Sequence, residues 1–116
     1  MSNYIQQMLK IACEVALMGD ENRKYCLGAV AKRKDGALVY SYNGRPTDVH
    51  APSHAEFRLS KKLDTSKTIF VARINRNTGI IGLAKPCGAC QIAIKSKMIN
   101  KVIYTISDKE YGVLFL

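Results

Sequence analysis

The chain has 116 residues, 47% of them hydrophobic, which suits one globular domain, residues 1–116, with a single core. Eighteen Lys and Arg against nine Asp and Glu leave a formal net charge of +9, which fits a solvated basic surface or a phosphate-bearing partner and does not separate the two. No apolar run approaches the roughly 20 residues of a membrane helix, and Glu14 inside the first apolar pattern argues against a secretory signal. Of the four cysteines, two share one C-x-x-C, which argues against a disulfide framework and for a reducing, cytoplasmic setting.

Ile5, Met8, Leu9, Ala12, Val15 and Ala16 recur at helical spacing, so residues 3–18 are expected to form a helix packed on a sheet. Gly19 follows as a candidate C-terminal cap. Cys13 lies beside the apolar stripe and reads as core. Residues 26–33 and 38–42 form a hairpin around Asp35-Gly36, with Lys32-Arg33-Lys34 at its tip. No Gly-rich phosphate loop follows any strand, which excludes a nucleotide triphosphatase of that kind. Residues 43–53, with two prolines and Gly44, form a loop. A second helix is expected over 54–63 and a third strand over 68–73. Residues 74–85 make a long loop or a short extra hairpin around Asn77-Thr78-Gly79, with Arg73 and Arg76 as possible phosphate contacts. A third helix follows over about 87–98, then a strand from Lys101 to Thr105 rich in β-branched residues. Residues 106–112 are too few for a crossover helix, so a fifth strand at 113–116 would pair antiparallel with the fourth.

Two short motifs carry chemistry. His54-Ala55-Glu56 opens the second helix, and Pro86-Cys87-Gly88-Ala89-Cys90 opens the third. Cys87 and Cys90, at i and i+3, fall on one face of a first helical turn. Pro86 fits a helix start, and the positive end of the helix dipole favours thiolates. One imidazole and two thiols suit a tetrahedral zinc with its fourth position open, the catalytic arrangement. Glu56, two residues from His54, does not share its direction and can serve a zinc-bound water without binding the metal. A fourth protein ligand, Cys26 or His50, would instead close the metal in a non-catalytic zinc module. A redox pair of Cys87 and Cys90 is the remaining alternative.

The order H-x-E then P-C-x-x-C is that of zinc nucleobase deaminases, and the chain resembles the cytidine/deoxycytidylate deaminase superfamily. The resemblance runs from the first helix to the fourth strand, and only the two metal motifs are specific. It implies a three-layer α/β fold, a mixed central sheet of about five strands flanked by helices, with the last two strands antiparallel. It implies a zinc ion on His54, Cys87 and Cys90, with Glu56 as the proton carrier. Tyr42-Asn43-Gly44 ahead of His-Ala-Glu is similar to deoxycytidylate deaminases, and in the family this Asn contacts the substrate sugar, a role that falls to Asn43. The Ala55 backbone N–H would bind the base, and the backbone carbonyl of Lys85 the departing amino group. A Ser or Thr often stands where this chain has Lys85. Tyr42 and Tyr104 are candidates to stack on the base, with core or sheet surface as the competing role for each. Arg45, two residues after Asn43, is placed by sequence to meet a phosphate on the sugar. Family members often assemble as homo-oligomers.

The resemblance leaves the substrate open between two readings. In the family, polynucleotide deaminases carry a helix after the fourth strand and a parallel last pair. Free-nucleoside deaminases, and some bacterial toxin deaminases, have the antiparallel pair. The short segment 106–112 therefore favours a free cytosine nucleoside or nucleotide, whereas the +9 charge favours cytosine or adenine in RNA or single-stranded DNA.

Overall fold

A computed structural model of the protein describes residues 3–19, 24–33, 36–42, 68–86, 88, 91, 92, 95 and 99–116. Its elements are α1 (Asn3–Ala16), β1 (Tyr25–Lys32), β2 (Leu38–Tyr42), β3 (Thr68–Asn75), β4 (Ile81–Gly82), β5 (Lys101–Thr105) and β6 (Tyr111–Phe115). The strands form one mixed sheet in the order β2-β1-β3-β5-β6, with the two-residue β4 paired to β3 off this path. β3 and β5 are parallel, and β1·β2, β1·β3, β3·β4 and β5·β6 are antiparallel. The expected α/β class and antiparallel last pair are both present. The last strand begins at Tyr111, two residues before the expected Val113, because Tyr111 is already opposite Thr105.

α1 uses the stripe that its sequence marks out: Met8, Leu9, Ala12, Val15 and Ala16 are buried. Met8, Leu9 and Ala12 pack against Val30, Phe70, Ala72 and Ile103 on one face of the sheet. The opposite face buries Ala29, Ala31, Ile69, Val71 and Val102 together with Ala84 and Ile99. Ala84 and Ile99, from the segment between β4 and β5, therefore lie on the side away from α1. Gly88, Gln91, Ile92 and Lys95 within it are helical, as expected for the third helix. The helix expected over 54–63 lies outside the described residues.

The end of α1 departs from the simple expectation. Gly19 has no left-handed backbone, since Gly36 and Gly79 are the described glycines with positive φ. The last carbonyls are instead met by a side chain from the far end of β3. Arg76 donates from Nη1 to the Leu17 carbonyl (3.3 Å) and from Nη2 to the Gly19 carbonyl (3.3 Å). A cation there complements the negative end of the helix dipole. Gly19 is needed for space, because a Cβ at that position would stand 3.0 Å from Cδ1 of Tyr42.

The two turns marked by glycine form as their chemistry dictates. Gly36 (φ 91°) closes the β1–β2 hairpin, its N–H donating to the Arg33 carbonyl at 3.0 Å. After β3, Asn75 Oδ1 accepts from the N–H of Asn77 (2.9 Å) and of Thr78 (3.4 Å), an Asx turn. Gly79 (φ 74°) then lets the chain return into β4. Of the two forms expected for 74–85, the short hairpin is the one formed.

Candidate active site

The scaffold for the second motif is built from three strands. β3 and β5 run parallel, so their carboxyl ends lie at the same end of the sheet, where open α/β sheets place their ligands. β4 pairs with β3 there, Gly82 opposite Arg73. Thr105, the buried last residue of β5, ties the junction together. Its hydroxyl accepts from the Arg73 N–H (3.2 Å) and donates to the Gly82 carbonyl (2.8 Å). Its carbonyl accepts from the Ala84 N–H (2.9 Å). The hydroxyl can do both because it is one donor and two acceptor lone pairs. The chain is thus anchored two residues before Pro86, which is itself buried.

Gln91 extends that anchoring into the helical segment. Its Nε2 donates to the Pro86 carbonyl at 2.9 Å, a bond between described residues on either side of the two motif cysteines in sequence. Sequence reasoning did not single out Thr105 or Gln91. Nothing in their residue types marks them, because each acts through a partner brought close by the fold.

The sequence-predicted site residues divide by position. His54, Ala55, Glu56, Asn43, Arg45, Cys87 and Cys90, together with His50, lie outside the described residues. Lys85 is described, and its side chain is exposed. Tyr42 is half-buried, opposite Gly28 in β1, with its ring beside Gly19 on the α1 side of the sheet. Its surroundings are those of a packing residue. Tyr104 is half-buried with its ring lying over Gly112 of the neighbouring strand, where a Cβ would collide with it. Arg76, expected as a possible phosphate contact, is committed to the end of α1.

One imidazole and two thiols fit zinc by the chemistry of the donor set. Cys26 does not join them. It is 1% exposed and packs with Ala16 and Ile74 on the α1 side, the face opposite Ala84 and Ile99. Cys26 is thus committed to packing under α1. Cys13 lies on the α1 side too, and burial, then the charge of Glu14, pushes its thiol up to about 11. It stays protonated at neutral pH, so it is not an activated thiolate. Among the described residues no group of three or more His, Cys, Asp and Glu could hold a metal, which leaves ligand assignment to the two motifs. Nor is any helix among them long and apolar enough to cross a membrane.

Comparison with known proteins agrees with this architecture. A cytidine deaminase from Burkholderia pseudomallei superposes with a TM-score of 0.66 at 20% identity, covering 99% of this chain and 93% of that one. One from Mycobacterium leprae gives 0.62 at 14% identity, covering 97% and 94%. One from Bacillus anthracis gives 0.61 at 15% identity, covering 98% and 83%. At these identities the likeness shows the fold alone. No curated protein matches the chain significantly in sequence. The family model for the cytidine and deoxycytidylate deaminase zinc-binding region matches residues 2–106, most of the chain and both motifs, and the protein therefore belongs to that family.

Proposed function

We propose that this protein is a single-domain zinc-dependent deaminase, residues 1–116, that converts cytosine to uracil in a free nucleoside or nucleotide. The observation that carries the substrate reading is the antiparallel pairing of β5 with β6 in a chain of this family. That is the arrangement of the free-nucleoside branch in the resemblance drawn above. The placement of Cys26 on the α1 side supports an open metal position over a closed one.

In this reading His54, Cys87 and Cys90 hold the metal, and zinc when bound supplies a water activated at neutral pH. Glu56 takes the proton of the attacking water and delivers it to the ring nitrogen beside the reacting carbon. It then takes the proton of the new hydroxyl on that carbon and passes it to the departing amino group, so ammonia leaves as the carbonyl forms and the carboxylate alternates between base and acid. Asn43 holds the sugar, the Ala55 N–H the base, the Lys85 carbonyl the amino group and Arg45 a phosphate on the sugar. The Gln91–Pro86 hydrogen bond and the Thr105 junction tie down the described residues next to the second motif in sequence.

The test is a mass-spectrometric screen of the purified protein against cytidine, dCMP, dCTP, adenine and guanine compounds, and oligonucleotides. A free cytosine nucleotide is expected to be turned over faster than cytosine inside an oligonucleotide. Glu56→Ala should keep its zinc, measured by elemental analysis, and lose nearly all turnover. Activity within about tenfold of wild type would assign the proton transfers to another group. The +9 charge favours the second reading, a deaminase of RNA or single-stranded DNA. A better oligonucleotide rate, with binding that weakens steeply as salt rises, would establish it instead.

A further inference from the structure

Arg73 lies near the end of β3 and Arg76 in the turn that follows it, and the structure gives them different work. Arg76 closes α1 through two carbonyls. Arg73 lies with its guanidinium carbon 4.6 Å from the ring centroid of Tyr25, and Lys24 Nζ is 5.5 Å from the same centroid. A guanidinium held by its flat face on an aromatic ring keeps the N–H donors of its edge available, in the planar fork that matches phosphate. Among the described residues no carboxylate pairs with Arg73, and its backbone N–H is already held by Thr105. The aromatic ring thus orients one cation and gathers a second beside it.

The position of this cluster relates it to the metal motifs. Arg73 is opposite Leu27 in the β1–β3 register, and Leu27 packs on the face that carries Ala84 and Ile99. Tyr25, two residues before Leu27 in the strand, shares that face. Arg73 is also opposite Gly82, four residues before Pro86. The cluster therefore lies at the carboxyl end of β3, on the face that buries Ala84 and Ile99.

We propose that Arg73, held flat on Tyr25 with Lys24 alongside, binds a phosphate group of the substrate. This inference rests on the deaminase reading above and deepens it: the substrate is a phosphorylated cytosine nucleotide. The same chemistry would hold the phosphate of a nucleotide flanking the target in a strand, and the experiment separates these two sources.

The zinc-loaded full chain is compared with Arg73→Ala and Arg73→Lys on cytidine, dCMP and a short oligonucleotide with one central cytosine. Loss of a charge-assisted contact should raise KM for dCMP about tenfold or more, with kcat and the KM for cytidine changed less than about twofold. Arg73→Lys should recover part of the loss, since it keeps the charge and loses the fork. Tyr25→Leu should give an intermediate KM for dCMP, and Tyr25→Phe a wild-type one. Calorimetric titration with dUMP and deoxyuridine gives a second readout that needs no turnover. Wild type should bind dUMP more tightly than deoxyuridine, and Arg73→Ala should remove most of that preference. A loss confined to the oligonucleotide would uphold the phosphate contact and overturn the free-nucleotide source. If no cytosine compound is deaminated yet the dUMP preference depends on Arg73, the deaminase reading falls and the phosphate site stands. Equal losses for nucleoside and nucleotide, or none for either, would overturn the proposal.

Discussion

Cys13 shows how a single side chain can be chemically quiet for a physical reason. It packs against the cluster under α1, and burial, with the Glu14 charge second, lifts its thiol from the ordinary 9.0 to about 11. A raised folded-state value means that the folded protein holds this proton more tightly than the unfolded chain does. The resulting stability is fully present below pH 9.0 and is lost as pH rises through about 11. Cys13→Ala, which cannot titrate, should therefore differ from wild type more at pH 8 than at pH 11 in paired thermal melts. A difference that stays constant across that range would show that the thiol titrates alike in both states. Tyr42 and Arg76 carry the same lesson in another form, since each is a plausible ligand contact by type and each is occupied by the end of α1.

At the scale of elements, the packing of α1 on β1 depends on one missing side chain. A Cβ on Gly28 would meet the Ala12 carbonyl oxygen and, at 2.5 Å, the Ala16 backbone nitrogen. These are backbone atoms, so no change of rotamer relieves the clash and the helix as a whole must lift. Gly28→Ala is expected to destabilise the fold by about 2–3 kcal/mol, the upper part of the range for overpacking. Urea denaturation with an unchanged m-value would measure it. A loss below about 0.5 kcal/mol would mean that α1 shifts without cost. Thr105 works on the other side of β3 by hydrogen bonding in place of close approach, joining β3, β4 and β5 through one buried hydroxyl.

The whole molecule presents apolar side chains that its own fold leaves in water. Ile92 is 75% exposed on the helical segment that follows Cys90, Leu83 54% on the approach to Pro86, and Phe115 74% on β6, at one edge of the sheet. Apolar surface of this kind is commonly covered by a partner, and closed symmetry is the usual form for a second copy of the same chain. A symmetric dimer or tetramer is the expected solution state. Light scattering during size-exclusion chromatography should return a mass of two or four chains. A monomer at high protein concentration would remove the expectation. The +9 charge repels copies from one another, so assembly should strengthen as salt is added.

Much of this was legible in the amino-acid order because it depends on short spacings. The i, i+3, i+4 recurrence from Ile5 to Ala16 marks α1 and its buried face, since a helix repeats every 3.6 residues. The length of 106–112 dictates an antiparallel last pair, because no parallel crossover fits in it. H-x-E and P-C-x-x-C mark the family for the same reason, since each is a spacing of a few residues. The sequence could not say which face of the sheet each remaining residue would occupy. Cys26 and Leu27 are neighbours in the chain, yet one packs under α1 and the other across the sheet, because successive strand residues point to opposite sides. Arg73 and Arg76 are three residues apart and look alike in type. Only the pairing of β3 with β1, and the return of the chain past the end of α1, separates a cation spent on a helix from one turned toward the face that buries Ala84 and Ile99. Such assignments come from contacts between segments far apart in sequence, and the tertiary fold alone makes them.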